Sequence, residues 1–216
     1  MYDEIIKLYK DAKNPDDARA MSQYMRNKFQ FLGLRSPSRK ALSKDFLKVS
    51  RKENLNWDFI FRLWNEDMRE FQYLAIDYLK LHKKELTFDD TAKLRELITN
   101  KSWWDTIDGL DRLFGYMALS DIKIKNLMLE WSKADNIWLR RIAIDHQLGL
   151  KQQTDTILLE KIIKNNLGFD EFFINKSIGW ALRDYSKVDP TWVSNFINKY
   201  KQKLSKLSIR EGSKYI

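Results

Sequence analysis

Four short segments of this chain repeat one pattern, a polar residue followed by aromatic or large apolar residues. They are Glu70-Phe71-Gln72-Tyr73, Ser102-Trp103-Trp104-Asp105, Asn136-Ile137-Trp138-Leu139 and Glu171-Phe172-Phe173-Ile174, and their first residues lie 32, 34 and 35 positions apart. Each is placed to open a helix, and the remainder of each interval holds a second helix. Helix pairs at such a period cannot bury their apolar faces singly. Stacked, they form an α-solenoid that buries one face and leaves a concave surface free.

The rest of the chain agrees with that reading. Apolar residues recur at close to 3.6 positions almost throughout, and only 7 Gly and 3 Pro interrupt 216 residues. The spacing predicts helices over 2–12, 16–31, 37–51, 55–64, 67–82, 88–99, 103–118, 121–132, 136–149, 153–165, 170–186, 190–203 and 207–215. Pro37 after Ser36 and Pro190 after Asp189 suit first helical positions. No linker or low-complexity stretch divides the chain, so one domain over 1–216 is expected. The fold class is all-α, an α-solenoid of helical repeats with a concave basic groove. The period is slightly short for HEAT repeats and close to that of TPR repeats, whose specific residues are not evident, so the period alone does not choose between them.

Composition narrows the chemistry. Cysteine is absent, which excludes disulfides, Cys-based zinc sites and a thiol nucleophile. His82 and His146 are the only imidazoles, and no carboxylate spacing beside them suggests a metal, so neither metal nor cofactor is expected. Met1-Tyr2-Asp3-Glu4 does not open a secretory signal, and no run approaches a membrane span. A cytoplasmic monomer without a membrane partner is the expectation. Lys and Arg total 39 against 30 Asp and Glu, a net charge of +9, which favours a polyanionic partner.

In a helical array the same position of successive repeats lines one groove, and here those residues are unusual. Trp104 and Asp108 lie four apart and share a face. Arg141 follows Trp138 by three. Lys176, Trp180, Arg183 and Lys187 run along one stripe, where a core-facing helix would not mix cations with its Trp. Trp, Arg and one carboxylate together suit a sugar-phosphate strand. Ser102 and Asp105 fit a capping box; Asp108, one turn deeper, has no capping role and reads either as an acid for chemistry or as an ordinary solvated acid or partner of a nearby Lys or Arg. Adjacent residues lie about 100° apart on a helix, so Trp103 and Trp104 diverge. Trp104, on the Asp108 face, is the one expected in the groove. The segment 198–216 carries six Lys or Arg and one acid, Glu211. It reads equally as an extension of the basic surface or as a solvated last helix.

On these residues the chain resembles the AlkD-like DNA-alkylation-repair glycosylases, which are built from HEAT-like repeats. The matching stretches are Tyr24-Met25-Arg26-Asn27-Lys28-Phe29 running on to Phe31-Leu32-Gly33, Lys101-Ser102-Trp103-Trp104-Asp105, Asp135-Asn136-Ile137-Trp138-Leu139-Arg140-Arg141, and Glu171-Phe172-Phe173-Ile174 running on to Ile178-Gly179-Trp180-Ala181-Leu182-Arg183. They keep family order over almost the whole chain. The resemblance implies that Trp104 and Trp180 contact the deoxyribose of the lesion, and that Asp108 sits near C1′, positions a water and stabilises the developing sugar cation. It implies that Arg141 holds a neighbouring phosphate and orders the site. Tyr24, Ser36, Arg39 and Lys40 would touch DNA near the lesion or along its backbone, with Lys176, Arg183 and Lys187 adding contacts. The implied substrate is double-stranded DNA carrying N3- or N7-alkylated purines, whose base is excised without being turned into a pocket, as a step of base excision repair. Two other readings stay open: a DNA-binding repeat protein of the same family without chemistry, and a protein-interaction scaffold.

Overall fold

A computed structural model describes residues 1–216. Its regular elements are all helices, accompanied by one isolated β-bridge between Gln30 and Met68. The chain divides into two compact units, Met1–Glu85 and Leu86–Ile216. The first holds α1 (Tyr2–Asp11), α2 (Pro15–Tyr24), α3 (Ser36–Ser50), α4 (Trp57–Asn65) and α5 (Arg69–Leu81). Here α3 packs on α1 and α5, and α4 packs on α5. Their common core is Tyr9, Ile60, Leu63, Trp64, Phe71, Leu74 and Tyr78, all essentially inaccessible to solvent. Burying side chains of this size stabilises by about 1.5–3 kcal/mol each before the entropy of ordering is set against it.

The second unit holds α6 (Thr91–Thr99), α7 (Trp104–Ala118), α8 (Ile122–Trp131), α9 (Ile137–Asp145), α10 (Thr156–Lys164), α11 (Phe172–Tyr185), α12 (Pro190–Tyr200) and α13 (Lys206–Gly212), with short 3-10 turns at Phe88–Asp90 and Lys151–Gln153. The repeat is visible in its packing. Alternate helices form a ladder, α7 on α9, α9 on α11 and α11 on α13, while α8 and α10 back α9 and α12 backs α11. Three of the four echoed segments in the sequence open rungs of this ladder, and the fourth opens α5. Gly115 permits one close approach within the ladder: a Cβ there would lie 1.9 Å from the His146 carbonyl oxygen. That contact brings α7 against the end of α9, the pair of helices that carry Asp108 and Arg141.

Local chemistry sets most of the helix starts. The side chains of Asn14, Asn56, Asp121, Asn136, Asp155, Glu171, Asp189 and Ser205 each accept backbone N–H bonds as N-caps, satisfying donors that no helical turn can reach. Pro15 and Pro190 occupy first helical positions, and α3 begins one residue earlier than predicted, at Ser36. No helix is long and apolar enough to cross a membrane.

Two expectations fail locally. The helix predicted over 16–31 stops at Tyr24, because Arg26 and Asn27 adopt φ of 56° and 55° and the chain then turns toward the start of α5. There the buried Glu70 carboxylate accepts the N–H groups of Leu32, Gly33 and Leu34 at 2.9–3.0 Å, and Arg69 donates its backbone N–H to Gln30. Three bonds to one carboxylate outweigh the helical pattern of a half-polar segment. Gly33 is required in this turn, since its φ is +90° and a Cβ would lie 2.0 Å from the Asn14 carbonyl. The Ser102–Asp105 capping box also does not form. α7 starts at Trp104, Trp103 is its N-cap without a side-chain cap bond, and the Ser102 hydroxyl donates to the Ile98 carbonyl at the end of α6.

Candidate active site

Asp108 projects from α7, Arg141 from α9 and Trp180 from α11, and the ladder packing of the second unit brings these three together, with Trp104 one turn before Asp108 on α7. Arg141 is the organiser. Its Nε donates to Asp108 Oδ1 at 2.8 Å and its Nη2 to Asp108 Oδ2 at 2.9 Å, a parallel two-bond pair. Its Nη1 donates to the Phe173 carbonyl at 2.6 Å, and the guanidinium lies 5.2 Å from the centre of the Trp180 ring. The Arg141 side chain is 2% exposed, whereas that of Asp108 is 22% exposed. The carboxylate therefore has one edge fixed from behind and another reaching solvent. Bidentate Arg–carboxylate geometry fixes orientation as well as distance. In this arrangement the Nε, Nη1 and Nη2 of Arg141 all donate to protein acceptors, the Asp108 carboxylate and the Phe173 carbonyl.

The two adjacent tryptophans differ in burial. Trp103 is buried in an aromatic cluster, edge-on to Trp138 at 5.7 Å and to Phe173 at 5.1 Å. Trp104 is partly exposed on the Asp108 side of α7.

Behind the pair lies a buried acidic layer that the sequence reading did not single out. Asp145, one turn beyond Arg141 on α9, approaches its Nε at 3.6 Å and accepts a hydrogen bond from the Ser177 hydroxyl. Burial pushes the Asp145 carboxyl up to about 6, against the pull of the Arg141 cation. Burial also raises Asp111, one turn beyond Asp108, well above the usual carboxylate range, although Arg112 pairs with it. For Arg141, burial alone would lower the pKa, but Asp145 and Asp108 outweigh it and the net shift is upward. The signal for Asp145 was its i+4 spacing from Arg141.

Asp145 sets a pH test. Its folded pKa of about 6 lies above its ordinary 3.8, so the native state binds the extra proton between those values. The stability it contributes is full below about pH 4 and is lost as pH rises through 6. The stability of the wild type minus that of Asp145→Asn is expected to fall by about 3 kcal/mol between pH 3.5 and pH 7. His146, which burial pushes down to about 4, has the opposite sign but is common to both proteins and cancels. A pH-independent difference in urea unfolding would reject the assignment.

The basic stripe of α11 is largely compensated. Lys176 and Arg183 converge on the buried Glu211 of α13, at 2.9 and 3.1 Å, and Lys214 joins them at 3.4 Å. Lys176 also lies 5.7 Å from the Trp180 ring centre. Lys187 is exposed, beside Asp184 and over the ring of Tyr215. The last helix, with Ser208, Glu211 and Gly212 buried, is a packed rung rather than a solvated tail.

The remaining expected residues belong to the first unit. Tyr24 is exposed at the end of α2 and, with Ser36, Met21, Met25, Phe31 and Tyr73, lines a cleft of about 310 Å³. Arg39 is nearly buried, ion-paired with Asp77, with its guanidinium 5.2 Å from the Tyr73 ring centre. Lys40 is exposed. No group of three or more His, Asp or Glu side chains is placed to hold a metal ion.

Comparison with known proteins places this geometry in context. The family model described as DNA alkylation repair enzyme matches residues 5–216. Among solved structures, a predicted DNA alkylation repair enzyme from Enterococcus faecalis is similar at 36% identity, with a TM-score of 0.86 over 94% of this chain and 96% of that one. The protein smu.31 from Streptococcus mutans UA159 shares the fold at 20% identity, with a TM-score of 0.62 over 82% of this chain and 97% of that one. No curated protein matches the chain.

Proposed function

Because the chain belongs to the DNA alkylation repair enzyme family, we propose that it hydrolyses the N-glycosidic bond of N3- or N7-alkylated purines in duplex DNA. The observation that carries this reading is the partly exposed Asp108 carboxylate, locked from behind by the buried Arg141 and accompanied on its helix face by Trp104.

The chemistry asks for little else. A purine alkylated at N3 or N7 is cationic and already a good leaving group. As its bond to C1′ breaks, the electron pair goes to the base, which departs neutral, and positive charge develops on the sugar. A fixed carboxylate beside that carbon stabilises the oxocarbenium-like transition state, as in glycoside hydrolysis. Indole faces of Trp104 and Trp180 attract the same charge. A water completes the bond to C1′, and its proton passes to Asp108 and on to solvent. No general acid is required. Arg141 adds no carboxylate strength of its own. It removes the freedom of Asp108 to turn, so that the stabilising charge is in place before the bond breaks.

The test is release of N7-methylguanine and 3-methyladenine from methylated duplex DNA by the purified protein. Free base with an intact abasic strand is the expected result. Tight, salt-sensitive DNA binding without release of either base would replace this reading with that of a non-catalytic DNA-binding member of the family, in which Asp108 and Arg141 form a purely structural pair.

A further inference from the structure

We propose that Asp145, held by Ser177, is a positioning residue for base excision, which acts through Arg141 to leave more of the Asp108 negative charge directed at the sugar. The proposal rests on the excision reading above and gives a role to a carboxylate that no substrate can touch.

Asp145 is 1% exposed and lies on α9, one turn beyond Arg141. Its Oδ2 approaches Arg141 Nε at 3.6 Å and accepts the hydroxyl of Ser177 from α11. The Nε–H of Arg141 is itself given to Asp108 Oδ1 at 2.8 Å. Asp145 therefore shares the charge of the guanidinium without taking a donor from Asp108. Its own Oδ1 has no hydrogen-bond donor. A buried carboxylate satisfied on one oxygen alone costs stability, and an apolar side chain of similar size would serve packing as well or better. Groups kept at such a cost cluster at functional sites.

The charged groups that face Asp145 are Arg141 on its own helix and Asp108, Asp111 and Arg112 on α7, while α11 contributes the Ser177 hydroxyl. His146, next in the chain, is held neutral by burial above about pH 4. Lys125 of α8 and Asp155, the N-cap of α10, pair with each other at 2.9 Å. The charges of α6, Lys93, Arg95 and Glu96, are exposed. Whatever the sum of these charges, ionising Asp145 adds one negative charge behind Asp108 and makes the potential at its exposed edge more negative. One charge about 10 Å from a cation-forming step, at an effective dielectric near 20, changes its rate by roughly tenfold. Burial pushes the Asp145 carboxyl up to about 6, so it is charged at pH 8 and mostly neutral at pH 5.

The test is single-turnover release of 3-methyladenine from duplex DNA between pH 5 and pH 8, corrected for spontaneous release, by wild type and by Asp145→Asn. Asn keeps the shape, can still accept the Ser177 hydroxyl and stands for the protonated acid. It relieves a buried charge at neutral pH, so the variant should fold. The wild-type rate is expected to exceed that of the variant about tenfold at pH 8 and to converge on it at pH 5, with Kd for the lesion duplex the same in both. Taking the ratio cancels the titration of the substrate, which both proteins share. Ser177→Ala removes a bond that favours the charged form, so the pH at which half the advantage over Asp145→Asn is lost should rise by roughly half a unit. A ratio that is the same at pH 5 and pH 8 would assign Asp145 to packing and overturn the proposal. An unmoved midpoint in Ser177→Ala would identify another group as the one titrating and overturn it too. Release by both proteins at a constant ratio leaves the excision reading standing, whereas no release by wild type overturns that reading and this proposal with it.

Discussion

Replacing Asp108 by Asn is expected to cut release of alkylated purines by about a thousandfold, near 4 kcal/mol of transition-state stabilisation, while duplex binding changes little. The substitution keeps the outline of the side chain and removes the charge that the proposed mechanism sets beside C1′. It also replaces one of the two oxygens that accept from Arg141 by an amide that cannot accept. Asp145, at 3.6 Å from Arg141 Nε, keeps that cation from being left alone, so the variant should still fold with a modestly lower Tm. Rates are to be compared under single-turnover conditions, below the unfolding range of both proteins. Release within tenfold of wild type would remove Asp108 from the chemistry.

Arg141→Met is expected to have the largest effect on stability, a loss of about 3–5 kcal/mol in urea unfolding. Met matches the length of the side chain, but it leaves Asp108 without its two-bond partner, the inaccessible Asp145 without its nearest cation and the Phe173 carbonyl without a donor. Removing one member of a buried pair exposes the desolvation cost of the other. A loss under 1 kcal/mol would mean that the pair is not what holds α7, α9 and α11 in register. The salt dependence of DNA binding by the same variant separates two roles. An unchanged slope assigns Arg141 to orienting Asp108, and a slope smaller by about one assigns it a phosphate.

Much of this was legible in the chain itself because it is local. The spacing of apolar residues near 3.6 marked the helices, and Asn, Asp or Ser ahead of several of them fixed where those begin, since a cap and its N–H partners lie within three residues of each other. Divergence of adjacent side chains on a helix was enough to separate Trp103 from Trp104. The echo of four aromatic-led segments marked the rungs that now carry Trp104, Arg141 and Trp180.

What the tertiary structure decided concerns partners distant in sequence. No Gly or Pro marks the end of α2 after Tyr24, where Arg26 and Asn27 take up positive φ. Its continuation is drawn away by Glu70, some forty residues on. Ser102 lay within reach of a cap but found the Ile98 carbonyl instead. Arg141, Lys176 and Arg183 all read as cations for a phosphate, yet Asp108 claims the first and Glu211 the other two. Periodicity tells which face of its own helix a cation occupies. Whether that charge is neutralised depends on which carboxylate the next rung brings opposite it, because ion pairing acts over a few ångströms in space and is indifferent to separation along the chain.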